Sequence, residues 1–158
     1  MTEEDLLASR LLLVDDQPAN LRLLEELLAR EGFVNVVSTT EPQRVLDLYV
    51  AFDPDLVLLD LMMPGMDGYA VLDQLARRRA PYDFRPILVL TADATSEAKR
   101  RALSLGAKDF LTKPFDAIEV MLRVWNLLET RALYKRLQAL SPGEPLLPRI
   151  HPKSSEDY

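Results

Sequence analysis

The stretch Leu56-Val57-Leu58-Leu59-Asp60 decides the fold of this chain, because it joins a continuous apolar run to a single carboxylate. Four apolar residues without polar alternation are typical of a strand buried on both faces, as in a parallel sheet covered by helices. Similar runs stand at 11–14 and 87–90, with a valine-rich run at 33–38 and a shorter one at 107–111. The sequence therefore predicts five buried strands.

Segments of helical period separate these five runs. They cover 18–31, 41–52, about 69–79 and 96–105, and a long helix is expected to start near Asp116. Gly32 and Gly106 fall where glycine commonly ends a helix. Regular alternation of strand and helix predicts a doubly wound, flavodoxin-like α/β sandwich with an extended C-terminal helix. We expect its five-stranded parallel sheet to have the order 2-1-3-4-5, one of the two common doubly wound patterns.

Composition excludes several classes of protein. The 158 residues contain no cysteine and one histidine, His151, which excludes a disulfide scaffold, a thiolate zinc site and a multi-histidine metal site. The net charge of −6 disfavours direct contact with nucleic acid. No apolar run approaches the roughly 18 residues of a membrane span, and the acidic start is unlike a signal peptide. We therefore expect a cytoplasmic protein that contacts no membrane.

Chemically reactive side chains follow four of the predicted strands. Asp15 and Asp16 follow the first strand, Asp60 the third, Thr91 the fourth and Lys113 the fifth. In such sheets ligands bind at the carboxyl ends of the strands, where these side chains would meet. Three carboxylates repel one another unless a cation neutralises them, and Mg²⁺ suits oxygen ligands of this kind. The ammonium and hydroxyl groups suit a phosphoryl group, and the central carboxylate could act as its nucleophile.

These motifs resemble those of the receiver domain of two-component response regulators. The matching segments are Asp15-Asp16, Asp60 with the following 62–68 (MMPGMDG), Thr91-Ala92 and Lys113-Pro114-Phe115. They agree in order and spacing from about residue 10 to residue 128. The resemblance implies that Asp60 is the phosphoacceptor.

The same resemblance implies roles for the surrounding residues. Mg²⁺ would be bound by Asp15, Asp16, Asp60 and the backbone carbonyl of Met62, with Asp15 acting through water. The phosphoryl oxygens would be bound by Thr91, the Ala92 amide and Lys113. Thr91 and Phe110 would form the switch, with Phe110 moving toward the interior after phosphorylation. The Lys113–Pro114 peptide bond would be cis.

The function that the resemblance implies is a signalling switch. A histidine kinase or phosphotransfer protein would donate the phosphoryl group. The surface of the fourth helix, fifth strand and fifth helix would then change and control a partner or output domain. The chain would not be an enzyme beyond autophosphorylation from small donors and autodephosphorylation.

Two alternatives belong to other classes. An aspartyl-phosphate phosphohydrolase would carry its nucleophile after the first strand with a second acid two positions on, but that position here is Gln17. A receiver-like scaffold that is not phosphorylated would not need all five key positions, which are filled here. Both alternative hypotheses are therefore less favoured than the signalling switch.

The expected organisation has four parts. Residues 1–9 are an N-terminal segment, 10–128 the receiver, 129–140 an extension of the fifth helix, and 141–158 a proline-rich disordered tail. A helix to residue 140 would be about 37 Å long, whereas strands of five residues span about 17 Å. We expect Ile118, Leu122 and Trp125 to pack on the sheet, with Leu128 as the last contact. The extension carries leucines at coiled-coil spacing, which predict a homodimer through Leu133, Leu137 and Leu140.

Overall fold

The computed structural model describes residues 2–80 and 82–144, and its main sheet has five parallel strands. These strands are β1 (Arg10–Val14), β2 (Asn35–Thr39), β3 (Leu56–Leu59), β6 (Ile87–Thr91) and β7 (Asp109–Thr112). A separate antiparallel hairpin consists of β4 (Met62–Met63) and β5 (Met66–Asp67). The order of the main sheet is β2-β1-β3-β6-β7. The predicted order 2-1-3-4-5 is confirmed, because β6 and β7 are the fourth and fifth strands of this sheet.

Six α-helices occur in the described residues. They are α1 (Glu3–Leu7), α2 (Pro18–Glu31), α3 (Val45–Phe52), α4 (Gly68–Arg77), α5 (Ser96–Ser104) and α6 (Ala117–Leu140). Gly32 ends α2 at a φ of 110°, in the left-handed region where glycine is favoured. The sequence did not predict α1, whose first turn is capped by the Thr2 side chain.

Successive strand residues point to two apolar layers, as the pleat of a strand requires. Leu11 and Leu13 pack in the layer formed by α2 and α6. Leu12 and Val14 pack in the opposite layer, to which α3, α4 and α5 contribute. Both faces of the sheet are therefore covered, which explains the unbroken apolar runs.

The buried face of α6 differs from the predicted one. Val120, Val124 and Leu128 are buried against the sheet, whereas the side chains of Ile118 and Leu122 are 71% and 58% exposed. The prediction that Ile118 and Leu122 pack on the sheet is therefore wrong. The helix carries apolar stripes on two opposite faces, and only the valine-containing stripe meets β-sheet side chains.

Trp125 lies between these two faces of α6 and is partly buried. Its ring centroid is 5.2 Å from that of Phe33, and its Nε1 donates a hydrogen bond of 2.7 Å to Glu31 Oε1. The side chain thus fastens α6 to the C-terminal end of α2.

Contacts between α6 and the rest of the domain continue beyond Leu128, so the prediction that Leu128 is the last contact is wrong. Arg131 is only 5% exposed. Its Nε donates 2.7 Å to Asp55 Oδ1, and one Nη donates 3.2 Å to Asp83 Oδ1 and 2.7 Å to the Phe84 carbonyl. Tyr134 stacks on Phe84 with ring centroids 4.9 Å apart. These contacts fix the direction of α6 for more than one further turn.

Among the described helices, none has the length and hydropathy that a membrane span requires. The proline-rich segment from residue 145 onward, which includes His151, lies outside the described residues.

Candidate functional site

The three predicted acidic residues meet at the carboxyl end of the sheet. Strand pairing places Val14 beside Leu59, so the residues that follow β1 and β3 are neighbours. Asp15, Asp16 and Asp60 each offer a carboxylate oxygen, and these oxygens lie within 4.8 Å of one another. The parallel register alone therefore gathers three negative charges in one place.

Lys113 lies beside two of these carboxylates. Its Nζ is 2.6 Å from Asp15 Oδ2 and 3.1 Å from Asp60 Oδ2. Its backbone amide donates 2.8 Å to the Thr91 carbonyl, and the Lys113–Pro114 peptide bond is cis. Burial by itself would lower the pKa of Lys113, but its hydrogen bonds to Asp15 and Asp60 outweigh this effect and raise the pKa. The ammonium group is therefore charged and neutralises part of the acidic cluster.

Asp60 is 4% exposed, and one of its carboxylate oxygens accepts a hydrogen bond from the backbone. The Met62 amide donates 3.0 Å to Asp60 Oδ1. Burial raises the pKa of Asp60, and the charge of Asp15 acts in the same direction, against the opposing hydrogen bonds from Met62 and Lys113. The carboxylate is thus oriented but poorly solvated, which makes a cation at this position favourable.

Asp15 has partners that the sequence did not indicate. Its Oδ1 accepts a 2.9 Å hydrogen bond from the Gln17 amide, and Asn20 Nδ2 lies 3.3 Å from its Oδ2. Asn20 belongs to the first turn of α2, where a polar residue has no distinctive spacing. Only the packing of α2 beside β1 reveals that it orients the carboxylate.

A glycine after the β4–β5 hairpin fixes the backbone beside Asp60. A Cβ atom at Gly68 would lie 2.4 Å from the Leu61 carbonyl oxygen, closer than any real contact. Glycine therefore allows the start of α4 to approach the residue that follows the phosphoacceptor candidate. The hairpin between them leaves the Met62 side chain exposed and buries Met63.

Two of the residues predicted to bind the phosphoryl group, Thr91 and Ala92, stand at the end of β6. Ala92 lines the same pocket as Asp16, Asp60, Met62 and Lys113. Thr91 is buried at the end of β6, where its Oγ1 accepts a long hydrogen bond of 3.5 Å from the Asp93 amide.

Phe110 lies away from this pocket and is only 8% exposed. It packs in the layer of α3, α4 and α5. The ring therefore already occupies the inward position, and this structure does not contain the outward position from which the expected movement would start.

The donor set fits Mg²⁺. Carboxylate oxygens are hard ligands, and the pocket opens to solvent beside Asp16, so water would supply the remaining ligands. The thioether of Met62 is a soft group and would not compete for this ion. Asp15, Asp16 and Asp60 are therefore the residues that would hold it.

Mg²⁺ should stabilise the folded chain through this cluster. Ligand at about 100 times its dissociation constant adds about 2.7 kcal/mol to the free energy of unfolding. We expect Asp16→Asn to lose most of the Mg²⁺-dependent rise in melting temperature, because it removes one of the three carboxylates. Glu26→Gln, on the exposed face of α2, is the control and should keep the full rise. An unchanged rise in Asp16→Asn would place the ion elsewhere.

The family model of the response regulator receiver domain matches residues 11–124. The chain therefore belongs to the response regulator receiver domain family. This membership confirms the predicted family.

Particular relatives support the same conclusion. The DNA-binding dual master transcriptional regulator RpaA of Synechocystis is 39% identical over 119 residues, which are 75% of this chain and 48% of that protein. The alkaline phosphatase synthesis transcriptional regulatory protein PhoP of Bacillus subtilis is 34% identical over 137 residues, 87% of this chain and 53% of that protein. The receiver domain of Francisella response regulator 1452 superposes with a TM-score of 0.70 at 26% identity, covering 77% of this chain and 98% of that one. The chain spans about half the length of the two curated relatives.

Proposed function

We propose that this chain is a phosphorylation-dependent switch that accepts a phosphoryl group on Asp60 with Mg²⁺. The observation that carries the proposal is the convergence of a buried, oriented Asp60 with two further carboxylates and the Lys113 ammonium. A carboxylate in this setting can attack phosphorus and become an acyl phosphate. The donor would be a phosphohistidine of a histidine kinase or phosphotransfer protein.

The reaction exchanges one bond to phosphorus for another. A carboxylate oxygen of Asp60 forms a P–O bond while the P–N bond to the donor imidazole breaks, and the imidazole keeps the electron pair. Mg²⁺, when bound, supplies positive charge to the transferring phosphoryl oxygens. Lys113 is placed to donate to the same oxygens, since its Nζ is 3.1 Å from Asp60 Oδ2. The Ala92 amide would add a neutral donor from the rim of the pocket.

Thr91 and Phe110 would connect this reaction to the surface. The Thr91 hydroxyl holds only a long bond to the Asp93 amide, so a phosphoryl oxygen would be a stronger partner. We propose that phosphorylation stabilises the arrangement seen here, with Thr91 and Phe110 both inside, at the expense of a conformation with Phe110 outside. The size of such a population shift is limited by the new contacts of the phosphoryl group.

The output surface would be the face formed by α5, β7 and α6. It exposes the apolar side chains of Leu103, Ile118 and Leu122. Exposed apolar groups in proximity commonly mark an interaction site. A partner protein or an output domain, and not nucleic acid, would bind there.

The end of α6 would mediate self-association. Leu133, Leu137 and Leu140 are all exposed and follow one another at spacings of four and three residues. We propose that these leucines pair with those of a second copy.

The test of the proposed function is labelling with a small phosphodonor. The chain is incubated with acetyl phosphate, with Mg²⁺ or with a chelator, and its intact mass is followed over time. We expect one phosphoryl group per chain, only when Mg²⁺ is present. Labelling that is equally fast in chelator would contradict the proposed site.

Met62 should shield the acyl phosphate from water. Its exposed side chain lines the pocket beside Asp60, and a thioether cannot orient an attacking water molecule. The Asp93 carboxylate could orient water, but we expect the shielding to dominate. Met62→Asn should therefore shorten the lifetime of the phosphorylated chain by about tenfold, which is 1.4 kcal/mol in the barrier. Met66→Asn, in the neighbouring strand of the same hairpin, is the control, and a Met62→Asn rate equal to wild type would exclude shielding.

A further inference from the structure

A groove lies between α1 and α6, and apart from Glu31 all of its lining residues lie outside the part of the chain that matches the receiver family. The match covers 11–124, whereas α1 begins at Glu3 and the groove uses α6 from Trp125 onward. Its apolar lining comes from Leu6, Trp125, Ala132 and Leu133. The groove is thus built by the two elements that extend this receiver at its ends.

The charges along the groove are unequally distributed. Two acidic residues lie toward its Trp125 end, since Glu31 accepts the Trp125 hydrogen bond and Glu129 follows one turn later, while Arg136 lies about two turns beyond Glu129. A partner that suits the groove must therefore place a basic group near Glu129. The second half of α6 itself has this character, because it combines exposed leucines with Arg136.

Exposed apolar side chains occupy one face of α6 near both of its ends, with the polar Asn126 and Glu129 between them. Leu122 and Leu133 are separated by eleven residues, and Ile118 and Leu140 by twice that number. An eleven-residue repeat stays on one face of a nearly straight α-helix. The stripe borders the groove at Leu133, so one helix laid against it would contact both.

We propose that a second copy of this chain docks its α6 antiparallel to the first, about a two-fold axis between residues 132 and 133. This arrangement places Leu140 of each copy at the level of Trp125 in the other copy. It also places Arg136 opposite Glu129. The proposal rests on the self-association proposed above and adds its orientation and contacts.

The flanks of the stripe favour the antiparallel orientation. Glu129 and Arg136 lie on the same flank, the one that faces α1. In an antiparallel pair related by a two-fold axis, the same flank of both helices lies at the contact. Glu129 of each copy would therefore meet Arg136 of the other, and the symmetry would form this ion pair twice. In a parallel pair, this flank of one copy would meet the other flank of the second copy. That other flank carries Thr130 and Tyr134 and no charged residue from position 126 onward, so no ion pair would form. Exposed pairs add little energy, but they decide orientation.

Disulfide trapping distinguishes the two orientations, because the chain has no cysteine of its own. A disulfide needs Cα atoms within about 7 Å. Leu133→Cys, near the axis, should crosslink to itself. Leu140→Cys should not, since the two copies of residue 140 would be more than about 20 Å apart. Trp125→Cys combined with Leu140→Cys should crosslink, and each of these single variants alone should not.

Charge reversal tests the predicted pairs independently. Glu129→Arg and Arg136→Glu should each raise the dimer dissociation constant about tenfold, and their combination should restore it to within about threefold. Glu26→Arg, on α2, is the control and should leave the constant unchanged. Sedimentation equilibrium on the full chain measures all four.

Two outcomes would overturn the proposal. Self-crosslinking of Leu140→Cys as efficient as that of Leu133→Cys would show a parallel pair, and a chain that stays monomeric at every concentration would show no pair. Phosphoryl labelling is measured on the same variants. Normal labelling without crosslinks would reject the dimer alone, whereas crosslinks without labelling would reject the phosphoacceptor function alone.

Discussion

Asp60→Asn should abolish phosphoryl labelling completely. The amide keeps the size of the side chain and can still accept the 3.0 Å hydrogen bond from the Met62 amide, so the loop should hold its shape. It lacks the anionic oxygen that attacks phosphorus. The measurement is intact mass after incubation with acetyl phosphate and Mg²⁺.

The control for this variant is Asp67→Asn. Asp67 is exposed and caps α4 through the Tyr69 amide, and asparagine is an equally good cap. We expect Asp67→Asn to be labelled like the wild type. Asp16→Asn should be labelled more slowly, with the rate recovering as Mg²⁺ is raised. Labelling of Asp60→Asn at the wild-type rate would show that another residue is the phosphoacceptor.

Arg131→Ala should lower the free energy of unfolding by about 3 kcal/mol, which is typical when one partner of a buried ion pair is removed. The change leaves Asp55 and the Phe84 carbonyl without the donors seen here at 2.7 Å. It also removes the attachment of the second half of α6. Urea denaturation of the full chain gives the free energy directly.

Arg136→Ala is the matched control, one and a half turns further along the same helix and exposed. We expect it to change the free energy of unfolding by less than about 0.5 kcal/mol at concentrations where the chain is monomeric. Amide hydrogen exchange separates anchoring from general instability. Arg131→Ala should lose protection first in residues 132–140, and uniform loss across the domain would contradict a specific role in holding α6.

The Arg131 effect should also depend on pH. Burial alone would raise the pKa of Asp55, but hydrogen bonds from the Arg10 amide and Arg131 outweigh it, and the pKa is lowered. A carboxylate with a lowered pKa stabilises the folded state above its unfolded pKa of about 3.9, and this contribution disappears as the pH falls through the folded value. The difference between wild type and Arg131→Ala should therefore be constant near neutral pH and shrink below about pH 4.

The sheet was predictable because each strand is an unbroken apolar run and each helix has a clear period. The positions of Asp15, Asp60 and Lys113 followed from the same pattern, since parallel strands place their carboxyl ends along one edge. The sequence could not give the contacts among them. The Lys113 ammonium lies closer to Asp15 than to Asp60, and only the packing of α2 brings Asn20 to this group.

The errors on α6 have one physical origin. The helix has apolar residues on opposite faces, and spacing alone does not say which face meets the sheet. Ile118 and Leu122 have larger apolar side chains than Val120 and Val124, so hydrophobicity predicts burial of the face that is in fact exposed. Arg131 continues the buried stripe at helical spacing, but an arginine in a sequence normally indicates an exposed position. Its carboxylate partners come from loops between other elements, which no local pattern reveals.

Chemical trapping of the acyl phosphate tests the phosphoacceptor most directly. The chain is labelled with acetyl phosphate and Mg²⁺, reduced with borohydride, digested and sequenced by tandem mass spectrometry. Reduction converts an aspartyl phosphate to homoserine and leaves free carboxylates unchanged. We predict homoserine at position 60 alone, and none when Mg²⁺ is chelated. Homoserine at position 15 or 16, or a labelled chain with no homoserine at all, would contradict the assignment of Asp60.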